Sequence, residues 1–157
     1  MDFDFSKRSE EVILHAHKEA TRAESAEITP GHLFLGIVKV NDQTRRALLN
    51  VGMDIEDMIS TLTKNHHERG GHQADKTIRL SKSSEKIMKI APLEAKLLKQ
   101  ELVEPHHMLL SILRDPSNLV YREFEKQNMI EDTRKEIERQ VSSGFLKAKK
   151  GFFAKWF

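Results

Sequence analysis

The sequence predicts an all-α protein: an eight-helix bundle made of two pseudo-symmetric four-helix repeats, followed by a C-terminal amphipathic tail. Three observations predict it. The chain repeats itself at an offset of 75 residues, its apolar residues recur at helical spacing, and stop signals close the helices. Laid over residues 80–114 without a gap, residues 5–39 match at eleven positions, among them Ser6/Ser81, Ala16/Ala91, Ala20/Ala95, Pro30/Pro105, His32/His107 and Ile37/Ile112. Unrelated windows of that length would share about two identities, so this is a duplication.

The elements follow in order. Val12, Ala16, Ala20 and Ala23 step by four, four and three, which lines one face of a first helix. Ile87, Ala91, Ala95 and Leu98 repeat the stripe in the second copy. Ser6 and Ser81 are placed as N-caps, with acids following in the first turn. The phrases ITPGHLFLGIVK (28–39) and VEPHHMLLSILR (103–114) then open a second helix in each copy. Thr29 caps the first, and Pro30 suits a position where no amide hydrogen is missed. Glu104 and Pro105 take the same places with a weaker cap. Residues 43–51 and 117–127 form third helices, stopped by Gly52 and Asn128, the residue types that best tolerate a left-handed conformation. Fourth helices run from Asp54 to about residue 63 and from about 131 to 143. Pro92 deletes a backbone hydrogen bond inside the fifth helix and should kink it or delay its start. Repeat one thus spans about 5–63, a polar linker 64–79, and repeat two about 80–143, giving a domain of residues 1–143 and a basic aromatic tail of 144–157.

Composition removes several function classes. The 157 residues are 38% hydrophobic and 32% charged, a globular balance. There is no cysteine, so no disulfide, thiolate metal site or cysteine nucleophile. The longest apolar stretch, Leu33 to Val38, is far too short to span a bilayer, and the acidic N-terminus lacks a signal core. A cytoplasmic location is the expectation. Net charge is +2, with +4 in residues 141–157, so −2 remains for the body. A near-neutral body argues against a nucleic-acid surface.

Few motifs suggest chemistry. GGHQADKT, from Gly70, approaches a phosphate-binding loop, but Asp75 stands where glycine is required and no strand precedes it. His66, His67 and His72 match no standard ligand spacing, so neither a metal nor a cofactor is expected. His32 and His107 lack a fixed base or carboxylate partner common to both copies. They read as structural helix-start imidazoles, half-buried and hydrogen-bonded to the neighbouring turn. No nucleophile elbow or zinc-protease motif occurs, and no enzymatic activity is expected.

These residues resemble a known family. FSKRSEEVILHAHKEA with ITPGHLFLGIV, and LSKSSEKIMKIAPLEAKLLKQELVEPHHMLLSIL in the second copy, look like the double-repeat N-terminal domain of Clp-type AAA+ unfoldases, nearest the ClpC branch, over residues 5 to about 141. The resemblance implies a docking platform for adaptor or substrate proteins, which the family's ATPase ring then unfolds. It therefore implies a non-catalytic interaction module of a Clp system, with a Clp ATPase ring or protease as a further partner. In the ClpC branch the domain also reads phosphorylated arginine, through a glutamate of a Thr-Glu-His phrase. Here Gly31 and His106 stand at that glutamate position, while the accompanying hydroxyls are kept at Ser6 and Ser81. Glycine offers no carboxylate, and a protonated histidine repels a guanidinium, so phosphoarginine recognition is expected to be weak or absent.

The tail falls outside the resemblance. Wound as a helix, Phe145, Ala148, Phe152 and Trp156 align, flanked by Leu146, Phe153 and Phe157, with lysines on the other face. Phe152, Phe153, Trp156 and Phe157 are its candidate contact residues. It could fold back over an apolar groove, dock a partner protein, or lie on an anionic membrane as the anchor of a membrane-surface or assembly factor. An aromatic terminus of this kind favours a stand-alone protein over a cut fragment.

Overall fold

The computed structural model describes residues 4–40, 42–67 and 77–144. Among them are eight helices: α1 (Lys7–Arg22), α2 (Pro30–Val40), α3 (Gln43–Asn50), α4 (Ile55–His67), α5 (Lys82–Leu97), α6 (Pro105–Ile112), α7 (Leu119–Lys126) and α8 (Ile130–Ser142). The tail contact residues Phe152, Phe153, Trp156 and Phe157 lie outside the described residues, as do 68–76 with the phosphate-loop-like stretch and His72.

The expected caps are present. Ser6 Oγ accepts from the Ser9 amide at 3.1 Å, and Ser81 Oγ from the Ser84 amide at 3.1 Å. Each satisfies one of the orphan donors of a helix start. Gly52 and Asn128 take the left-handed conformation at φ 89° and 57°. Two further residues do so as well: Glu24 at 54° and Lys99 at 58°, the same position in the two copies. Each follows the first helix of its repeat, where amides turn back to close it (Ser25 N to Ala20 O, Gln100 N to Ala95 O, both 2.9 Å). Neither Glu nor Lys advertises this turn. Lys99→Gly is expected to stabilise the fold by about 0.5 kcal/mol, read as a raised denaturation midpoint, because glycine adopts φ > 0 without a Cβ penalty.

The eight expected helices are all present, and three details are added or altered. Four two-residue strands supplement the helices: β1 (Asp4–Phe5), β2 (Glu27–Ile28), β3 (Arg79–Leu80) and β4 (Leu102–Val103). They pair in parallel, β1 with β4 and β2 with β3, so each repeat lends a strand to the other. Secondly, α5 starts on schedule and runs unbroken through Pro92, as long as its counterpart α1. Packing of Ile87, Ala91 and Ala95 into the core outweighs one missing backbone bond. Thirdly, α4 continues to His67, past the end expected near residue 63.

One apolar core serves both copies. α2 lies between α1 and the helices of the second repeat, and Pro30 to Val38 are all buried. α6 is buried along its whole length. Phe34 of α2 meets Phe124 of α7 edge to face, with ring centroids 5.7 Å apart, which joins the repeats through aromatic packing. Away from the core centre, Glu94 of α5 is 2% exposed and is held by Arg114 and by Arg134 at 3.8 Å. Burying that carboxylate is tolerable because two guanidiniums compensate it.

Candidate functional site

The strand exchange creates two junctions where the start of one repeat's first helix meets the start of the other's second helix. At the first junction, the Ser6 amide donates to Val103 O at 3.0 Å and Ser9 Oγ donates to the same carbonyl at 2.6 Å. Glu104, the N-cap of α6, is buried there. Burial pushes its carboxyl up from the ordinary range, against a hydrogen bond from Ser6 and the nearby charge of Arg8, both of which pull it down. At the second junction the Ser81 amide donates to Ile28 O at 3.0 Å, beside Thr29. Thr29 occupies the Glu104 position, so the first junction holds a carboxyl and the second a hydroxyl.

His32 and His107 play one role in both copies. The Thr29 amide donates to His32 Nδ1 at 3.0 Å, and the Glu104 amide donates to His107 Nδ1 at 2.8 Å. Each imidazole reaches back to the N-cap amide, as glutamate does in a capping box. Both rings are fully buried, rather than half-buried as expected from the sequence. The reason is that α2 and α6 are central helices, covered on every side.

His106 and Gly31 differ sharply. Gly31 is buried in the first turn of α2 and presents no side chain. His106 is 1% exposed, its ring 4.1 Å from that of His107. Gln100 Oε1 lies 2.7 Å from Nε2 of both rings. Because His107 Nδ1 already accepts, its proton sits on Nε2 and is donated to Gln100. His106 donates to the same oxygen from Nε2, which leaves its buried Nδ1 without a hydrogen-bond partner among the described residues. Burial drives His106 well below its ordinary pKa, with a smaller push from His107, and drives His107 down to about 3. Both rings are therefore neutral at physiological pH. The missed partner was Gln100, a polar residue just past α5 that nothing in the local sequence links to the histidines.

Between α1, the end of α2 and α3 lies an open pocket of about 590 Å³, lined by Arg8, Glu11, Asp42, Arg45, Arg46 and Leu49 among others. Arg45 is engaged by Val38 O at 2.9 Å and by Glu56 at 3.8 Å. The site therefore places Ser6 with Glu104, and Ser81 beside Thr29. The serine hydroxyls and the imidazoles are occupied by internal hydrogen bonds, and none faces a nucleophile–base pair. Among the described residues no group of three potential metal ligands gathers, and no helix is long and apolar enough to cross a membrane.

Fold and site together define a class: a duplicated, mostly helical domain whose halves are fastened by paired strands, with polar side chains used for assembly of the fold. Residues 4–127 match the family described as the Clp repeat (R) N-terminal domain, and the chain belongs to that family. It is 26% identical over 121 residues to the ATP-dependent Clp protease ATP-binding subunit ClpC of Staphylococcus aureus. That match covers 76% of this chain and 14% of the relative, so the chain spans about one-seventh of the relative's length. The fold is shared with the Hsp104 N-terminal domain of Candida albicans (TM-score 0.74, 16% identity, 92% of this chain and 94% of that one). It is also shared with the N-terminal domain of the chaperone ClpD of Arabidopsis thaliana (TM-score 0.58, 16% identity, 88% and 96%).

Proposed function

We propose that this chain is a non-catalytic protein-interaction module of a Clp protease or unfoldase system, docking adaptor or substrate polypeptides. The observation that carries this reading is the use of polar groups for the fold itself, Ser6, Ser9 and Ser81 in hydrogen bonds between the repeats and His32 and His107 in capping their own helices, in a family whose relative is named as an ATP-binding subunit of a protease. Such a domain has surface to offer rather than a reaction. The test is direct. The chain is mixed with fluorescently labelled, unfolded casein and, separately, with ATP. Polypeptide binding without nucleotide binding or turnover is the expected result; ATP hydrolysis, or no polypeptide binding, would overturn the reading.

Phosphoarginine recognition should be weak. At neither junction does the structure supply a carboxylate at position 31 or 106, and Glu104 nearby is buried and engaged with Ser6. A missing charge-assisted partner costs about 1.5–3 kcal/mol per site, or about ten- to a hundredfold in affinity. Gly31→Glu is expected to raise phosphoarginine affinity by about tenfold in a calorimetric titration. An unchanged affinity would show that position 31 does not meet the guanidinium.

A further inference from the structure

The outer face of α5 carries a combination that the fold does not require. At about 100° per residue, Lys82, Lys86, Lys89, Leu93, Lys96 and Leu97 fall within one arc about 100° wide. The core residues Ile87, Ala91 and Ala95 occupy the opposite side. Leu93 is 56% exposed and Leu97 67%, although a leucine pair spaced by four is what a helix ordinarily buries. No acid lies within the arc: Glu85 is at its edge and Glu94 faces inward. Lys86 lies near Asp115, whose carboxyl is lowered chiefly by hydrogen bonds from Ser117. Lys82, Lys89 and Lys96 form no ion pair among the described residues.

The duplication supplies an internal control. In α1 the corresponding positions are Lys7, Glu11, Leu14, Lys18, Thr21 and Arg22, an arc that contains an acid and a single leucine. The same scaffold is thus stable with a different outer face. Repeat two has exchanged Glu11 and Thr21 for lysines and Lys18 and Arg22 for leucines. An exposed apolar pair ringed by unopposed positive charge is complementary to a ligand with the inverse pattern.

We propose that this face docks a partner polypeptide segment that is acidic and carries apolar side chains at helical spacing, its leucine-type residues covering Leu93 and Leu97 and its carboxylates meeting the lysines. The proposal rests on the docking reading above and names the chemistry of the partner. The chain's own tail fits worse, since Lys147, Lys149, Lys150 and Lys155 carry the same sign as the arc. A membrane surface also fits worse. Interfacial helices separate their lysines from their apolar residues onto opposite faces, whereas here the two are interleaved.

The test uses a fluorescein-labelled amphipathic helix about 18 residues long, with glutamates and leucines on one face, and its Gln-for-Glu counterpart. Anisotropy titrations compare the full chain with Leu93→Ser/Leu97→Ser, with Lys86→Glu/Lys89→Glu/Lys96→Glu, and with the control Leu14→Ser. All the changed residues are exposed, and melting temperatures are checked to be unchanged. The expected result is that both α5 variants and the Gln peptide bind about tenfold more weakly or worse, that added salt weakens the wild-type complex, and that Leu14→Ser binds normally. Equal binding by all proteins overturns the proposal. So does preferential binding to phosphatidylglycerol vesicles, self-association through the same residues by sedimentation, or a rise in peptide affinity when the chain is ended at residue 143. Labelled unfolded casein is titrated in parallel. If casein binds every variant equally, the α5 face is wrong while the docking reading stands; if nothing binds casein, that reading falls too.

Discussion

Gly36→Ala is expected to destabilise the protein by about 3 kcal/mol, seen as a lower denaturant midpoint with an unchanged slope. A Cβ at Gly36 would sit 2.4 Å from Val12 O and 3.2 Å from Ala16 N. Both are backbone atoms of α1, so no side chain can swing aside. Relief requires α1 and α2 to separate, and that opens the core around Val12, Ala16 and Ile37, all fully buried. The duplication again provides the comparison. Position 36 corresponds to Ser111, and Val12 to Ile87. In the second copy the helices stand far enough apart for Ser111 Oγ to donate to Ile87 O at 2.7 Å. Ser111→Ala should therefore cost only about 1 kcal/mol, the loss of one hydrogen bond. Equal losses for the two variants would mean that the α1–α2 approach is no closer than that of α5 and α6.

The second large effect is acid sensitivity. Lowering the pH from about 7 to about 5 should remove roughly 2 kcal/mol of stability through His107, with a further loss in the same direction through His106. The sign follows from the direction of the shifts. Both folded-state values lie below the ordinary histidine range, His107 at about 3. The neutral, buried state is thus fully favourable above about pH 6.5. Below that, the unfolded chain takes up protons that the folded chain refuses, and stability falls at up to about 1.4 kcal/mol per pH unit for His107 and in the same direction for His106. Glu104 opposes the trend, since burial raises its carboxyl and acid relieves that cost. Glu136, held to about 2 by Arg139 and Asn50, contributes fully throughout this window and loses its contribution only as pH falls below the ordinary carboxylate range. Urea unfolding at both pH values, in the wild type and in His106→Gln, measures the effect. The variant should lose the His106 part of the pH dependence and keep that of His107. A stability that is flat between the two pH values would show that the rings are not held neutral.

Much of the architecture is legible in the sequence. Eleven identities at one offset announce two copies, and the stripe through Val12, Ala16 and Ala20 orients α1 toward the core. Ser6, Ser81, Gly52 and Asn128 mark helix ends, because capping and left-handed turns are governed by the residue itself and its near neighbours. These are local rules, and local rules are written in consecutive residues. The strand exchange obeys no such rule. A two-residue strand has no period to detect, and Asp4 finds its partner in Leu102 only once the helices have packed. The same holds for Glu24 and Lys99, which are driven into left-handed turns by the geometry of the fold rather than by their own preference.

The candidate site divides along the same line. Thr29, Pro30, His32, Glu104, Pro105 and His107 could be placed at helix starts from their spacing, and they are found there. That His106 is sealed in and tied to Gln100, that Glu104 meets Ser6 from the other copy, and that Leu93 and Leu97 are left outside are facts of three-dimensional packing. Periodicity identifies the side of a helix that is apolar, but not whether a neighbour covers it. Burial, and the desolvation that keeps a histidine neutral or raises a carboxyl, depends on atoms contributed by distant segments of the chain. Those atoms converge only in the folded molecule.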